Sequence, residues 1–204
     1  MAKLDYIKDF KTLYNPSVKE ASMVETPDMN FLMIDGAGDP NTAVEFKEAV
    51  EALYGAAYTL KFSIKKAGGP EYSVAPLEGL WWMEDMNQFS MDNKDAWLWT
   101  VMIPQPDFVT RAQVDTAIAD LKKKKNPPAL PKLRFERFSE GKSAQIMHIG
   151  PFADEAPTIL KLHEFIRANG CELTGKHHEI YLSDPRRCAP EKMKTVIRQP
   201  VRKV

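Results

Sequence analysis

The sequence predicts an α+β protein built from tandem duplicated β-α-β-β units with a central ligand cleft. Hydrophobic residues alternate with the period of a strand in several short stretches and recur at helical spacing in longer ones. The order strand, helix, strand, strand occurs twice, over about residues 28–104 and 143–200, and a helix and a strand at 108–138 join the copies. Short sequences also recur at matching positions of the two copies. We therefore expect a single domain over residues 1–204.

The composition fits such a domain and limits its partners. The chain has 204 residues, of which 44% are hydrophobic, which is enough to form a core. Lys and Arg number 28, as do Asp and Glu, so the formal net charge is zero. This balance argues against nucleic acid or an anionic membrane as the main partner. It leaves a small molecule as the expected partner and any protein partner unknown.

The expected compartment is the cytoplasm. No apolar run reaches the length of a bilayer span, and the N-terminal residues lack the apolar core of a signal peptide. Cys171 and Cys188 match no metal-ligand spacing. In a reducing compartment they are expected to be free thiols.

The first copy follows a polar N-terminal segment, residues 1–27, which Tyr6, Phe10, Leu13 and Tyr14 could anchor to the body. The predicted elements of the copy are a strand, a helix and two strands, over Asn30–Asp35, Thr42–Lys65, Ser73–Trp82 and Ala96–Ile103. Asn41 or Thr42 is the expected N-cap of the helix.

The joining segment begins with a helix over Val109–Lys125, which Thr110 is expected to start. Its last turn, Lys122–Lys125, suits the negative end of the helix dipole. A strand over Leu130–Phe138 follows. The predicted elements of the second copy are a strand, a helix with Gly170 at its C-terminal end, and two strands, over Ala144–Ile149, Ala156–Asn169, Lys176–Ser183 and Lys192–Gln199.

Matching sequences set the register of the duplication. Ile34-Asp35-Gly36 resembles His148-Ile149-Gly150, and Thr100–Pro104 resembles Thr195–Pro200. In this register Glu78 is the counterpart of Glu179. We expect matching strands of the two copies to meet at a pseudo-twofold cleft, where both carboxylates would face a ligand.

The strongest candidate site lies in the predicted strand at residues 176–183. Strand alternation places His177, Glu179 and Tyr181 on one face, and His178 and Ile180 on the other. A carboxylate and a phenol on one face can accept a proton, donate a proton and contact a flat or cationic ligand. The alternative is an ordinary edge-strand Glu beside a half-buried Tyr.

Two long motifs carry a family resemblance. They are Pro76–Trp82 in the first copy and, in the second, His178–Arg187 together with Lys194–Val201. In these motifs, and over about residues 20–204, the chain resembles the GyrI-like small-molecule-binding domains, whose fold is a tandem pair of SHS2-type units. More narrowly, it resembles their stand-alone branch, the cyclopropanoid cyclopropane hydrolases.

The resemblance implies a site and an activity. The broad family binds lipophilic or cationic drugs at a buried glutamate, and the stand-alone branch hydrolyses cyclopropane-bearing alkylating natural products. The family's glutamate falls on Glu179 and its tyrosine on Tyr181. The aromatic walls match Trp81 and Trp82 only approximately, because alternation turns these two rings in opposite directions. Trp82 shares a face with Glu78 and is the preferred pocket residue of the two.

The expected mechanism is the addition of water to a strained ring conjugated to a dienone. Glu179, with its pKa raised by an apolar pocket, would be the general base, and Tyr181 would position the water or stabilise the developing charge. Glu78 is either a second acid–base group or a relic of the duplication. No metal or organic cofactor is required. The side chains expected to contact the flat substrate are Trp82, Trp99, Tyr58 and Met147.

Other functions remain open at this point. The chain could be a drug-binding module without chemistry, such as a sequestering protein or sensor, or an inhibitor of a topoisomerase-like partner. A zinc site at His177 and His178 is disfavoured, because neighbouring strand residues point to opposite faces. Arg186 and Arg187 could bind an anion, but holding their turn to nearby carboxylates is the preferred interpretation.

Overall fold

A computed structural model describes residues 3–85 and 93–204 of the chain. Its helices, α1 to α5 in chain order, are Tyr6–Asp9, Lys11–Tyr14, Val44–Lys66, Arg111–Lys124 and Ala156–Ala168. Its strands, β1 to β9, are Ser22–Thr26, Met29–Ala37, Leu77–Trp82, Leu98–Gln105, Arg134–Phe138, Gly141–Ile149, Cys171–Leu173, His177–Tyr181 and Lys194–Lys203. Within the described ranges, none of the helices combines the length and apolar character that a membrane span requires.

The chain divides into two compact units. Unit 1 comprises Met1–Asp5, Met29–Ala75 and Trp81–Phe138. Unit 2 comprises Tyr6–Asp28, Pro76–Leu80 and Ser139–Val204. Strand β3 therefore contributes its first residues to unit 2 and its two tryptophans to unit 1.

Unit 1 is an antiparallel sheet with a long helix on one face. Strand β2 pairs with β4 along one edge and with β5 along the other. Helix α3 covers the face that carries Ile34 and Trp99, and α4 packs against α3. The Trp99 indole is fully buried and lies directly over Gly36, its partner across the strands. A glycine is needed there because any side chain would occupy the volume of the ring.

Unit 2 has the same plan. Its strand order is β1-β6-β9-β8, continued by the first residues of β3, and β7 pairs with the far end of β9. Helix α5 covers one face of this sheet. The core between them consists of Ala144, Ile146, Leu162, Ile166, Cys171, Ile197 and Val201.

The predicted class and the repeated order of elements are confirmed. Strand β2, α3, β3 and β4 correspond to β6, α5, β8 and β9. The register of the duplication differs by one residue from the sequence match in the first strand of each copy. The sequence match aligned Asp35 with Ile149. In the structure Thr100 lies opposite Asp35 and its counterpart Thr195 lies opposite His148, so Asp35 corresponds to His148.

The residues at the ends of α3, α4 and α5 agree with the sequence-based predictions at two positions and differ at one. Thr110 starts α4 with a reciprocal capping box to Gln113, as expected of a threonine N-cap. Gly170 follows α5 with φ +65°, the left-handed conformation expected after a helix. The predicted cap of α3 is wrong, because Ala43 occupies the N-cap position without a side-chain hydrogen bond.

Four short elements, which are α1, α2, β1 and β7, were not predicted from the sequence. Three of the four side chains expected to anchor the N-terminal segment, Tyr6, Leu13 and Tyr14, are buried. Segments this short carry too few residues for a period to be recognised.

The contact between Gly36 and Trp99 gives a first prediction. A Cβ atom at position 36 would lie 2.1 Å from the Trp99 ring. We expect Gly36→Ala to lower the free energy of unfolding by about 1–3 kcal/mol, the usual cost of overpacking a core. Urea titration measures the change.

The matched control is Ala37→Ser, which also adds one heavy atom to β2 but at an exposed position. It should change the free energy of unfolding by less than about 0.5 kcal/mol. Equal stability of Gly36→Ala and the wild type would show that the indole is not confined as described.

Candidate functional site

The two faces of β8 carry two separate groups of polar side chains, both within unit 2. Ile197, which lies opposite Glu179, belongs to the core under α5. Arg198, which lies opposite His178, donates instead to the carbonyl of Leu13 in α2. Glu179 therefore faces α5, and His178 faces α2. We call the first group the Glu179 site and the second the His178 network.

The Glu179 site centres on a carboxylate with a donor at each oxygen. The Tyr181 hydroxyl donates to Oε2 of Glu179 at 2.8 Å, and Nε2 of His177 lies 3.1 Å from Oε1. Glu155, which directly precedes α5, is buried as well. Phe152 packs edge-on against the Tyr181 ring, with centroids 5.5 Å apart. The segment that starts α5 thus covers the strand that carries the carboxylate.

The charge state of Glu179 differs from the expectation. Burial by itself raises the pKa of this carboxyl, but the hydrogen bonds with His177 and Tyr181 hold the pKa below its ordinary value. The predicted upward shift is therefore wrong, because the prediction considered the apolar surroundings and not the donors. Glu179 is ionised at neutral pH and ready to accept a proton.

Polar side chains of neighbouring elements share the α5 side of the sheet with this carboxylate. Thr195 of β9 lies between Tyr181 and His148 in the strand pairing, and Nδ1 of His148 is 2.9 Å from the hydroxyl of Thr158 in α5. Among the described residues, no partner lies within hydrogen-bond distance of Nε2 of His148 or Oγ1 of Thr195, although both are buried. Such atoms can bond to a water molecule or a ligand group.

A further histidine, His163 of α5, stays neutral near this site. Burial and the nearby His177 lower its pKa to about 4. A neutral imidazole can accept or donate a hydrogen bond without adding charge to the site.

The His178 network crosses four adjacent strands. Gln145, Arg198, His178 and Glu78 follow one another on β6, β9, β8 and β3, and all four are buried. Nε2 of His178 lies 3.0 Å from Glu78, and Nδ1 lies 2.8 Å from Glu140. Each ring nitrogen faces a carboxylate, so both must carry a proton and the ring is a cation.

The electrostatics agree with that assignment. Burial lowers the pKa of His178, but Glu140 and Glu78 outweigh burial and raise the pKa to about 9. Burial raises the pKa of Glu140, yet His178 and Arg198 bring it below its ordinary value. Two cations and two carboxylates thus balance one another inside unit 2.

The network also fixes the N-terminal helices onto the sheet. The Tyr14 hydroxyl donates to Glu78 at 2.7 Å. Arg198 donates to the carbonyl of Leu13 at 2.7 Å, and Gln145 donates to the carbonyl of Thr12 at 2.5 Å. The last two of these bonds satisfy carbonyl groups at the end of α2, where a helix leaves its carbonyls without an internal partner.

One expectation about the carboxylates needs correction. Glu78 and Glu179 were expected to face the same cleft, but Glu78 contacts His178 and therefore lies on the opposite side of β8 from Glu179. Their accessibility differs as well, since 13% of the Glu179 side chain is exposed and only 2% of the Glu78 side chain. Met147 lies next to Ile146 on β6, so it too points away from the α5 side, and it is buried.

The predicted aromatic residues of unit 1 fall into two groups. Trp81 and Trp99 are buried and both contact Phe46 of α3, with ring centroids 5.8 and 5.2 Å from it. Trp82, the next residue on β3, is half-buried and points the other way. Tyr58 is 46% exposed on α3, where its ring stacks with Phe62.

The remaining sequence candidates have structural partners. His177 and His178 bond to different carboxylates on opposite faces of β8. Arg186 donates to both oxygens of Asp184 at 2.9 Å, which is the turn-holding role that was preferred for it.

Sequence reasoning missed two partners in the His178 network, which are Tyr14 and Glu140. Tyr14 was identified only as an anchor.

The profile of the GyrI-like small molecule binding domain matches residues 19–202. The chain belongs to this family. No curated protein matches it.

Three solved structures from Listeria innocua are similar over nearly the whole chain. An uncharacterized conserved protein is 43% identical, with 98% of this chain and 100% of that chain covered and a TM-score of 0.92. A hydrolase encoded by lin2189 is 41% identical, with the same coverage and a TM-score of 0.89. Another structure described as a hydrolase is also 41% identical, with 98% and 100% coverage and a TM-score of 0.85.

The bond from Tyr14 to Glu78 gives a second prediction. Tyr14→Phe removes one donor from a buried carboxylate, so the free energy of unfolding should fall by about 1–3 kcal/mol. The control is Tyr72→Phe, because the Tyr72 hydroxyl is buried and has no hydrogen-bond partner within the described part of the chain. That variant should be nearly neutral or slightly stabilising in the same urea titration. Equal losses in the two variants would contradict the role given to Tyr14.

The charge on His178 gives a third prediction. Its pKa is raised from 6.5 to about 9, so its contribution to stability is complete below pH 6.5 and is lost as the pH rises through 9. The loss should be on the order of 3 kcal/mol, at about 1.36 kcal/mol for each unit of pKa. Unfolding by urea at several pH values measures this loss of stability, and NMR of the histidine ring protons shows whether His178 causes it. An imidazole that loses its proton near pH 6.5 would contradict the network.

Proposed function

We propose that this protein hydrolyses reactive cyclopropane-containing alkylating compounds by adding water, with Glu179 as the base. The observation that carries this proposal is an ionised, partly accessible carboxylate that bonds to the Tyr181 hydroxyl inside unit 2. The similarity to two structures described as hydrolases supports an enzymatic activity. The cyclopropane substrate comes from the resemblance of the motifs around His178–Arg187.

The proposed reaction begins with a water molecule next to Glu179. The water oxygen forms a bond to a ring carbon of the cyclopropane while Glu179 takes a proton from the water. The carbon–carbon bond of the ring breaks, and its electron pair moves into the conjugated dienone to give a phenolate. Relief of ring strain contributes to the driving force, so a base with a lowered pKa can suffice. Positioned acid–base groups commonly contribute about 10²–10⁴-fold.

Tyr181 and His177 have distinct tasks in this proposal. The Tyr181 hydroxyl already donates to Glu179, and its oxygen can still accept a hydrogen bond from the attacking water. His177 holds the other oxygen of the carboxylate and so fixes its orientation. Both act from the same rigid strand as the base, which favours a defined geometry.

The other residues that the sequence predicted to bind substrate differ in their exposure. Tyr58 and Trp82 keep exposed surface that a flat ligand could stack on. Trp81, Trp99, Met147 and Glu78 are each less than 9% exposed, which favours a role in supporting the fold. Phe152 is 37% exposed beside Tyr181, and we add it as an aromatic wall of the Glu179 site.

The fourth prediction concerns Glu179 directly. Glu179→Gln removes the base but keeps a side chain of the same shape, so turnover should fall by at least about 10²-fold while binding persists. Mass spectrometry of protein incubated with a cyclopropane-bearing alkylating natural product should show a product heavier by one water only with active protein. Isothermal calorimetry measures binding.

The matched control is Glu172→Gln, which makes the same change at a half-buried position on β7 whose side chain is 46% exposed. It should retain full turnover. Tight binding by the wild type with no hydrated product would make the protein a non-catalytic drug-binding module. Full turnover by Glu179→Gln would exclude Glu179 as the base.

A further inference from the structure

Two polar side chains on the α5 side of unit 2, His148 and Thr195, are not used by the proposed reaction. His148 is 6% exposed and Thr195 is fully buried. Nε2 of His148 and Oγ1 of Thr195 bond neither to each other nor to another group in the described part of the chain. A buried polar atom without a partner costs stability, so a pair of them indicates a place where another molecule supplies the missing bonds.

These two side chains lie in a row that leads to the Glu179 site. Thr195 of β9 lies directly opposite Tyr181 of β8 and also directly opposite His148 of β6. Residues opposite each other on antiparallel strands share a face of the sheet, with Cβ atoms about 4.5–5.5 Å apart. The row therefore runs from Tyr181, which donates to Glu179, through the Thr195 hydroxyl to the His148 ring.

The His148 ring is held in a fixed orientation. Nδ1 lies 2.9 Å from the hydroxyl of Thr158 in α5. A threonine hydroxyl can donate its proton to Nδ1, and Nε2 then carries the proton of the ring and is a donor. The Thr195 hydroxyl is a donor as well, so the row offers two adjacent donors.

Gly150 keeps side-chain atoms away from the first of these donors. A Cβ atom at position 150 would lie 3.1 Å from Nε2 of His148. The Gly150 amide donates to the carbonyl of Met193 at 3.0 Å, which fixes this backbone beside the ring. Two residues later, Phe152 packs on Tyr181. The segment from Gly150 to Phe152 thus borders the row at both of its ends.

We propose that Nε2 of His148 and the Thr195 hydroxyl form an oxyanion site, which binds the carbonyl oxygen of the substrate dienone. The inference rests on the proposed function, because that reaction identifies the oxygen. Strand pairing holds both donors in place before any charge develops, and such preorganised donors stabilise a transition state in which an oxygen becomes negative.

The electrons and protons of the reaction balance with this assignment. When the water oxygen bonds to the cyclopropane, the breaking carbon–carbon bond sends its electron pair through the dienone to the carbonyl oxygen. That oxygen becomes a phenolate and accepts hydrogen bonds from His148 and Thr195. The proton that Glu179 took from the water then passes to the phenolate through solvent, so the product is the substrate plus one water.

Substitution of Thr195 tests the site by turnover. Thr195→Val removes the hydroxyl and keeps the shape of the side chain. With a cyclopropane-bearing alkylating natural product, its kcat should fall by about 10²–10³-fold with little change in KM. Thr195→Ser restores a hydroxyl and should recover most of the lost turnover. Thr116→Val makes the same change at an exposed position on α4 and should keep full turnover.

Unfolding by urea separates this role from a structural one. The Thr195 hydroxyl has no hydrogen-bond partner among the described residues, so Thr195→Val should leave the urea midpoint unchanged or raise it. A lowered midpoint would show that the hydroxyl stabilises the fold and would overturn the proposal. Wild-type kcat in Thr195→Val would also overturn it and would leave the hydrolase standing.

Binding of 4-nitrophenol tests the site without turnover. Its phenolate resembles the charge that the reaction generates, and its colour reports the pKa of the bound phenol. The wild type should lower that pKa by at least about one unit, and Thr195→Val should reduce the shift. In ¹⁵N NMR, His148 should carry its proton on Nε2, and this signal should move when 4-nitrophenol binds.

The two assays distinguish failure of the site from failure of the proposed function. A lowered pKa of 4-nitrophenol with no hydrated product from the natural product would support the site and refute the hydrolase. An unchanged pKa of 4-nitrophenol, or a His148 ring without a proton on Nε2, would overturn the oxyanion site whether or not the protein is a hydrolase.

Discussion

The interaction on which unit 2 depends is the burial of a histidine cation between two carboxylates. His178 is held by Glu78 and Glu140, and Arg198 binds Glu140 from the neighbouring strand. Removing one member of such a group would leave an uncompensated charge in the interior. The network therefore requires β3, β8 and β9 to keep one register, and through Tyr14 it requires α2 to cover that face of the sheet.

The position of the Glu179 site follows from that constraint. Adjacent residues of a strand point to opposite faces, so fixing His178 towards α2 turns His177 and Glu179 towards α5. The segment before α5 then supplies Phe152 to the same face. The Glu179 side chain is 13% exposed, whereas the ionic network on the other face of β8 is enclosed. One face of β8 therefore stabilises the fold, and the other can contact a ligand.

Much of this could be predicted from the sequence, because local periodicity determines which residues of one strand share a face. The grouping of His177, Glu179 and Tyr181 was correct for that reason. The pairing of Glu78 with His178 could not be predicted, since it depends on which strands are neighbours in the sheet. The pKa of Glu179 was predicted in the wrong direction because its donors include a histidine whose orientation only the structure shows.

The most direct test of the central claim is a crystal structure of Glu179→Gln with a bound cyclopropane-bearing compound. We expect the strained ring to lie on the α5 side of β8, close enough to position 179 and Tyr181 for one water molecule to bridge them. A compound bound on the His178 side, or away from β8 altogether, would contradict the assignment of the Glu179 site as the place where the reaction occurs.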